Sequence, residues 1–290
     1  MKAVVFYEPG RVEVEERPDP KIEAPGDAIV KVSLAPVCGS DIVGYRGRGA
    51  PRQARIAGHE MVGIVSEVGE GVTRLQPGQR VASPFSVWCG GCFYCKQGLL
   101  SACEHRAVFG IHLPGAQAEY VRVPNADAVL EPLPDALSDE KAAFLPHILT
   151  GVYAGLRMAD VKAGASIAVV GCGPTGLATI LMAKTIGAGR IFALDHHNYR
   201  LAVAEQLGAT PLGEDANSAL LAATGGRGAD VAVEAVGRVE ALARALDLTR
   251  QWGTLLSLSL GMEEEASFPI GRLVQKKVRL LPAYAPAVKN

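Results

Sequence analysis

The stretch Ser166–Asp195, SIAVVGCGPTGLATILMAKTIGAGRIFALD, decides the fold. A short apolar run meets Gly171-Cys172-Gly173-Pro174-Thr175-Gly176, a helical segment follows, and a second apolar run ends on Asp195. Gly171 permits a tight turn, Gly173 lets the backbone approach a bound pyrophosphate, and Gly176 lets helix and strand pack closely. The helix start at Pro174 and Thr175 turns exposed N–H groups toward the phosphates. Asp195 lies 24 residues past Gly171, where a carboxylate accepts from both ribose hydroxyls and repels a 2′-phosphate. NAD is therefore favoured over NADP. Arg200, placed in the same site, is the feature that argues the other way.

Downstream of this unit the pattern repeats: helix YRLAVAEQLG, strand DVAVEAVG, helix RVEALARALDLT, strand GTLLSLSL. Strands that read as unbroken Val, Ile, Leu and Ala are covered on both faces, so the second half is predicted to be a Rossmann-type, doubly wound parallel sheet in the α/β class. Upstream, from Lys2 to about Val129, short strands are broken by turn residues: AVVF, VEVEE, DAIVKVSLA, GIVSEVG, QRVAS and AEYVRVP. That punctuation predicts a β-rich domain. The texture changes after EPLPDALSD, where KAAFLPHILTGVYAGLRMA is predicted to be helical. The expected domains are 1–148 and 149–290.

The 290 residues, 49% hydrophobic, suffice for two ordinary domains. A net charge of −1 with both signs interspersed offers no basic stripe for nucleic acid and no polybasic face for a membrane. No apolar run approaches a bilayer span, and Met1 leads directly into KAVVFY, so a soluble cytoplasmic protein with a small-molecule partner is expected.

Four cysteines fall within fifteen residues: Cys89, Cys92, Cys95 and Cys103 in WCGGCFYCKQGLLSAC. Two residues between successive thiols aim the sulfurs at one tetrahedral point, which reads as a closed structural zinc site in a lobe at about 86–106. A pair of disulfides is the alternative, disfavoured in a reducing compartment. Cys38 in CGSD and His59 in GHE are two further candidate ligands, 21 residues apart.

These motifs, with GAQAEYVRVP at 115–124 and VGCGPTG at 170–176, make the chain resemble the zinc-dependent medium-chain dehydrogenase/reductase family of alcohol and polyol dehydrogenases along essentially its whole length. The resemblance implies a GroES-like catalytic domain before the Rossmann domain. It also implies one catalytic zinc besides the structural one, held by three protein ligands. Cys38 and His59 carry over directly, and Glu60 matches a nearby carboxylate. The third ligand in relatives is usually Cys, Asp or Glu; here the position falls on His147. Either His147 or Glu60 completes the shell.

The reaction implied is hydride transfer between a small alcohol or polyol and NAD, with Ser40 the first member of a proton relay. A histidine that follows in relatives is replaced by Val43. The chain is also expected to stop at KKVRLLPAYAPAVKN, short of a final helix and strand that return to the catalytic domain. A catalytically impaired member acting as a binding or interaction subunit is the alternative. Relatives pair through edge strands of the cofactor domain, so a homodimer or homotetramer is expected, with KKVRLL such an edge. Substrate identity is not legible; its pocket is expected to draw on apolar residues near Tyr45, Trp88 and Phe109.

Overall fold

A computed structural model describes residues 1–47, 54–213, 215–259 and 266–283. The chain forms two compact units, one of Met1–His147 and one from Ile148 on.

The first unit is built from short antiparallel strands. A five-stranded sheet runs in the spatial order Glu131–Pro132, Arg80–Ser83, Met61–Val68, Ala28–Leu34, Tyr120–Val123. A three-stranded sheet joins Lys2–Glu8, Arg11–Glu16 and Arg55–Ile56, and a two-stranded ribbon pairs Ser86–Val87 with Ala107–Val108. Alternation along Ala28–Leu34 and Met61–Val68 sends Val30, Met61 and Val65 into a core with Val81, Phe109, Val121 and Leu130. The four-cysteine segment is an excursion between the two ribbon strands.

The second unit holds a six-stranded, all-parallel sheet. Taking Ile167–Val170, Ile191–Leu194, Thr210–Pro211, Ala229–Glu234, Thr249–Ser257 and Arg279–Pro282 in chain order, the spatial order is third, second, first, fourth, fifth, sixth. This is the doubly wound order, whose ligand crevice lies where the order reverses, between Ile167–Val170 and Ala229–Glu234. Ile167 and Val169 face one core with Leu156, Ile180 and Ala183; Ala168 and Val170 face another with Leu220, Leu242 and Leu246. Burial on both faces accounts for the unbroken apolar text.

The expected helix over 141–159 is interrupted. A single turn at Asp139–Ala142 is followed by a wide π turn at Leu145–Leu149, and regular helix begins only at Thr150. Pro146 has no N–H and its ring crowds the carbonyl four residues back, so the i→i−4 ladder cannot run through it. His147 lies in that widened turn. Helices at Ala216–Ala223 and Ile270–Lys276 and the two-residue strand Thr210–Pro211 were not apparent from the sequence pattern. No helix among the described residues is long and apolar enough to cross a membrane. The expectation about the chain end falls on 284–290, outside the described residues.

Candidate functional site

The four lobe cysteines converge, with one sulfur from each lying within 4.8 Å of the others. Cys92 stands in extended backbone just before the single turn Phe93–Lys96, which brings Cys95 back, and a short 3-10 turn at Leu100–Ala102 returns Cys103. Sulfurs held at about 2.3 Å from one tetrahedral zinc stand roughly 3.8 Å apart. The observed separations are 3.9 Å for Cys92–Cys103 and 3.6 Å for Cys103–Cys89. Backbone N–H groups of Cys89, Cys92 and His105 point at the sulfurs, each at 3.4 Å. N–H groups of Cys95 and Glu104 bring the Cys92 thiol down to about 6, while burial and the neighbouring sulfurs push Cys95 up to about 12. Four such sulfurs ionise together only around a cation. All six cysteines are free, so the disulfide alternative is not what the fold contains.

A second cluster draws together Cys38, His59, Glu60 and His147, again with donor atoms within 4.8 Å. Cys38 precedes the helix Gly39–Tyr45, His59 and Glu60 precede the strand Met61–Val68, and His147 comes from the π turn. His147 Nδ1 is 3.9 Å from Cys38 Sγ and 3.0 Å from Glu60 Oε1; His59 Nε2 is 3.6 Å from the same carboxylate oxygen. His59 and Glu60 are buried. Burial pushes the Cys38 thiol up, but contacts from His147, His59 and Ser40 outweigh it and hold it at about 6. Burial pushes both imidazoles down, yet Asp41 and Cys38 raise His59 to about 10, and Cys38 and Glu60 raise His147 to about 9. The cluster thus draws positive charge onto the points where its ring nitrogens meet a thiolate and a carboxylate. A divalent cation satisfies that demand in place of the protons, and the mixed S, N, O donor set suits zinc.

In the second unit, a groove of about 1080 Å³ lies along the carboxyl ends of the parallel strands. Gly171, Gly173, Pro174, Asp195, Arg200 and Val236 line it. Gly171 has φ +93°, and a Cβ at Gly176 would stand 1.8 Å from the Gly171 carbonyl oxygen, so neither accepts a side chain. A Cβ at Gly173 would meet nothing within 4 Å, as a close approach by a ligand requires. Asp195 accepts N–H bonds from Cys172 at 2.7 Å and His197 at 2.8 Å, and Arg200 lies 3.6 Å from its carboxylate. Burial raises the Asp195 carboxyl, but those N–H groups and Arg200 together hold it below its ordinary value. Asp195 is therefore ionised and fixed at the rim, with Arg200 turned toward it.

Residues 24–135 match the alcohol dehydrogenase GroES-like domain, and residues 174–287 match the zinc-binding dehydrogenase domain. The medium chain reductase/dehydrogenase ucsI of Acremonium sp. is 44% identical over 271 residues, spanning 89% of this chain and 93% of that protein. The chain belongs to the zinc-dependent medium-chain dehydrogenase/reductase family. The zinc-type alcohol dehydrogenase-like protein AdhB of Bacillus subtilis is 35% identical, covering 99% of this chain and 86% of its own. Among solved structures, the alcohol dehydrogenase TADH from Thermus sp. ATN1 superimposes with a TM-score of 0.94 at 38% identity, covering 99% of this chain and 85% of that one. As a family member the protein is an oxidoreductase with a β-rich GroES-like and a parallel-sheet α/β part.

Two residues beside the second cluster of this medium-chain dehydrogenase/reductase were not singled out from the sequence. Asp41 Oδ1 lies 3.6 Å from His59 Nδ1, while its Oδ2 accepts the Cys38 N–H at 2.9 Å. A carboxylate behind a metal-binding imidazole fixes its tautomer and orientation. Its signal was present, since Asp41 closes the CGSD tetrapeptide. Phe85 carries no such signal, yet its ring sits 4.7 Å from that of His147. Of the residues around which the substrate pocket was expected, Phe109 is itself a core residue, 1% exposed, and Trp88 packs against the same core. Tyr45 does line a cavity, of about 640 Å³, in the first unit.

Proposed function

We propose that the protein is a zinc- and NAD-dependent dehydrogenase of small alcohols or polyols. The convergence of Cys38, His59, Glu60 and His147 at one buried point carries the proposal. In it, residues 1–148 form the catalytic domain and 149–290 the NAD domain, and the four lobe cysteines hold a structural zinc.

Cys38, His59 and His147 hold the catalytic metal, with Asp41 orienting His59. A zinc ion so held would supply a Lewis acid that lowers the pKa of an alcohol oxygen. One thiolate and two neutral imidazoles leave a dication at +1, where a carboxylate in the His147 position would leave it neutral. Glu60, 3.0 Å from His147 Nδ1, offsets that charge. Ser40 contributes both its hydroxyl and its N–H to Cys38, which places a hydroxyl beside the cluster for proton movement. Val43 has no titratable group, so the proton leaves Ser40 by another carrier. In the second unit the Gly171–Gly176 loop receives the pyrophosphate and Asp195 the ribose hydroxyls. Nothing among the described residues favours a non-catalytic binding subunit.

The deciding experiment pairs elemental analysis with an alcohol and polyol panel assayed with NAD+ and NADP+. Two zinc ions per chain and NAD+-linked oxidation are expected. Protein purified without chelator that carries one metal or none, or that oxidises no member of the panel, sinks the proposal.

A further inference from the structure

Glu234 has no exposed surface and takes no part in the chemistry above. It ends the strand Ala229–Glu234, in register with Val170 on one neighbouring strand and Ser257 on the other. Its Oε1 accepts the N–H groups of Val236 and Gly237, both at 2.6 Å. Its Oε2 accepts the hydroxyls of Ser257, at 3.2 Å, and Ser259. A buried carboxyl without partners is costly, and this one has four donors drawn from one turn and the end of one strand.

The turn it holds is part of the groove. Ala235 donates to the Val170 carbonyl at 2.9 Å, and Gly237 adopts φ +85° to complete the bend. A Cβ on Gly171 would stand 2.5 Å from a Val236 methyl, so the turn and the glycine loop face each other in close contact. Ala235, Val236 and Arg238 line the groove beside Gly171 and Gly173. Val236 is 48% exposed, on the open side of a turn pinned from beneath.

We propose that Glu234 is a positioning residue for the cofactor: by anchoring the turn at 235–237 to the end of the Thr249–Ser257 strand, it fixes the wall opposite the Gly171–Gly176 loop. The proposal rests on the groove binding a nicotinamide dinucleotide.

The test is NADH titration of the full chain, followed by calorimetry or fluorescence, alongside steady-state kinetics. Glu234→Ala should raise the NADH Kd roughly tenfold or more, with KM for cofactor rising and KM for alcohol unchanged. Glu234→Gln should stay within about threefold, because the amide oxygen still takes both backbone N–H groups and its NH2 can donate to the serine hydroxyls. Ser257→Ala/Ser259→Ala, which frees one end of the carboxylate, should weaken binding a few-fold, and with Glu234→Gln it decides the matter if Glu234→Ala does not fold. Lowered melting temperatures with unchanged Kd would show a purely structural carboxyl and overturn the proposal, as would a Gln variant as weak as Ala. Unmodified protein that binds neither NADH nor NADPH would overturn the cofactor reading and this inference together; unmodified protein that binds while Glu234→Ala binds equally well overturns this inference alone.

Discussion

His147 Nδ1 lies 3.9 Å from Cys38 Sγ although the two residues are 109 positions apart in the chain. His147 reaches the cluster from the widened turn at Leu145–Leu149. His147→Ala should lose one of two metals, leave the four-cysteine metal in place and reduce turnover by about a hundredfold or more. His147→Asp should keep both metals and move the pH dependence of oxidation upward, because the site's positive charge falls by one unit. An Ala variant with both metals and near-normal turnover would make His147 a packing residue.

Cys95 is one of the two buried members of the lobe set. Cys95→Ser should release the lobe metal and destabilise the chain by about 3 kcal/mol, or roughly 6–12 °C in Tm for a domain of this size. Metal content and a melting curve check this; an unchanged Tm with one metal lost would show that the lobe contributes no stability.

Asp195→Ser removes the charge that, on the proposed reading, disfavours a 2′-phosphate, and it also frees the N–H groups of Cys172 and His197. The NAD+ to NADP+ preference in kcat/KM should fall by about tenfold, with overall affinity for either cofactor reduced. Equal use of both cofactors by the unmodified protein would show that Asp195 does not discriminate.

Asp139 accepts bonds from Ser33 Oγ and Arg80 Nη2, each at 2.5 Å, and these hold its carboxyl below the ordinary value. A carboxyl depressed in the folded state adds stability that is present above its unfolded pKa and is lost as pH falls through the folded one. Urea midpoints should therefore drop as pH goes from about 5 to below 3, and Asp139→Asn should show a shallower drop. Identical slopes for the two proteins would remove Asp139 from the account.

The strand Arg279–Pro282 ends the parallel sheet, bonded to Thr249–Ser257 and to no further strand among the described residues. An open edge of this kind is a template for pairing with a second copy. Light scattering at micromolar concentration should give a homodimer or homotetramer, and Leu280→Pro should shift it toward monomer. Monomer in the unmodified protein would count against the edge.

Much of this was written locally. Ser166–Asp195 was legible because glycine spacing, helix start and terminal carboxylate all lie within one strand-helix-strand unit, and the four-cysteine lobe because its donors share fifteen residues. Asp41 was legible in principle from its place beside Cys38. Phe85 and Glu234 were not: a ring from one loop against an imidazole from a distant turn, and a carboxyl bonded to serines at and just past the end of the next strand, arise from tertiary packing and sheet register that no local pattern encodes. The break at Pro146 was visible as a proline, but a widened turn and a full stop look alike in sequence.

The two donor sets also differ in how much chain must be folded before they exist. Cys89 and Cys103 are 14 residues apart, whereas Cys38 and His147 are separated by 109. Closing the longer loop costs about 2 kcal/mol more entropy in a flexible chain, and its ligands come from segments that meet only when the β-rich unit is assembled. On the proposed reading the thiolate set, closed by a short loop, can take up its metal before the rest of the unit is assembled. The second set exists only once the whole first unit has formed, so on the proposed reading a half-folded chain displays no open Lewis acid.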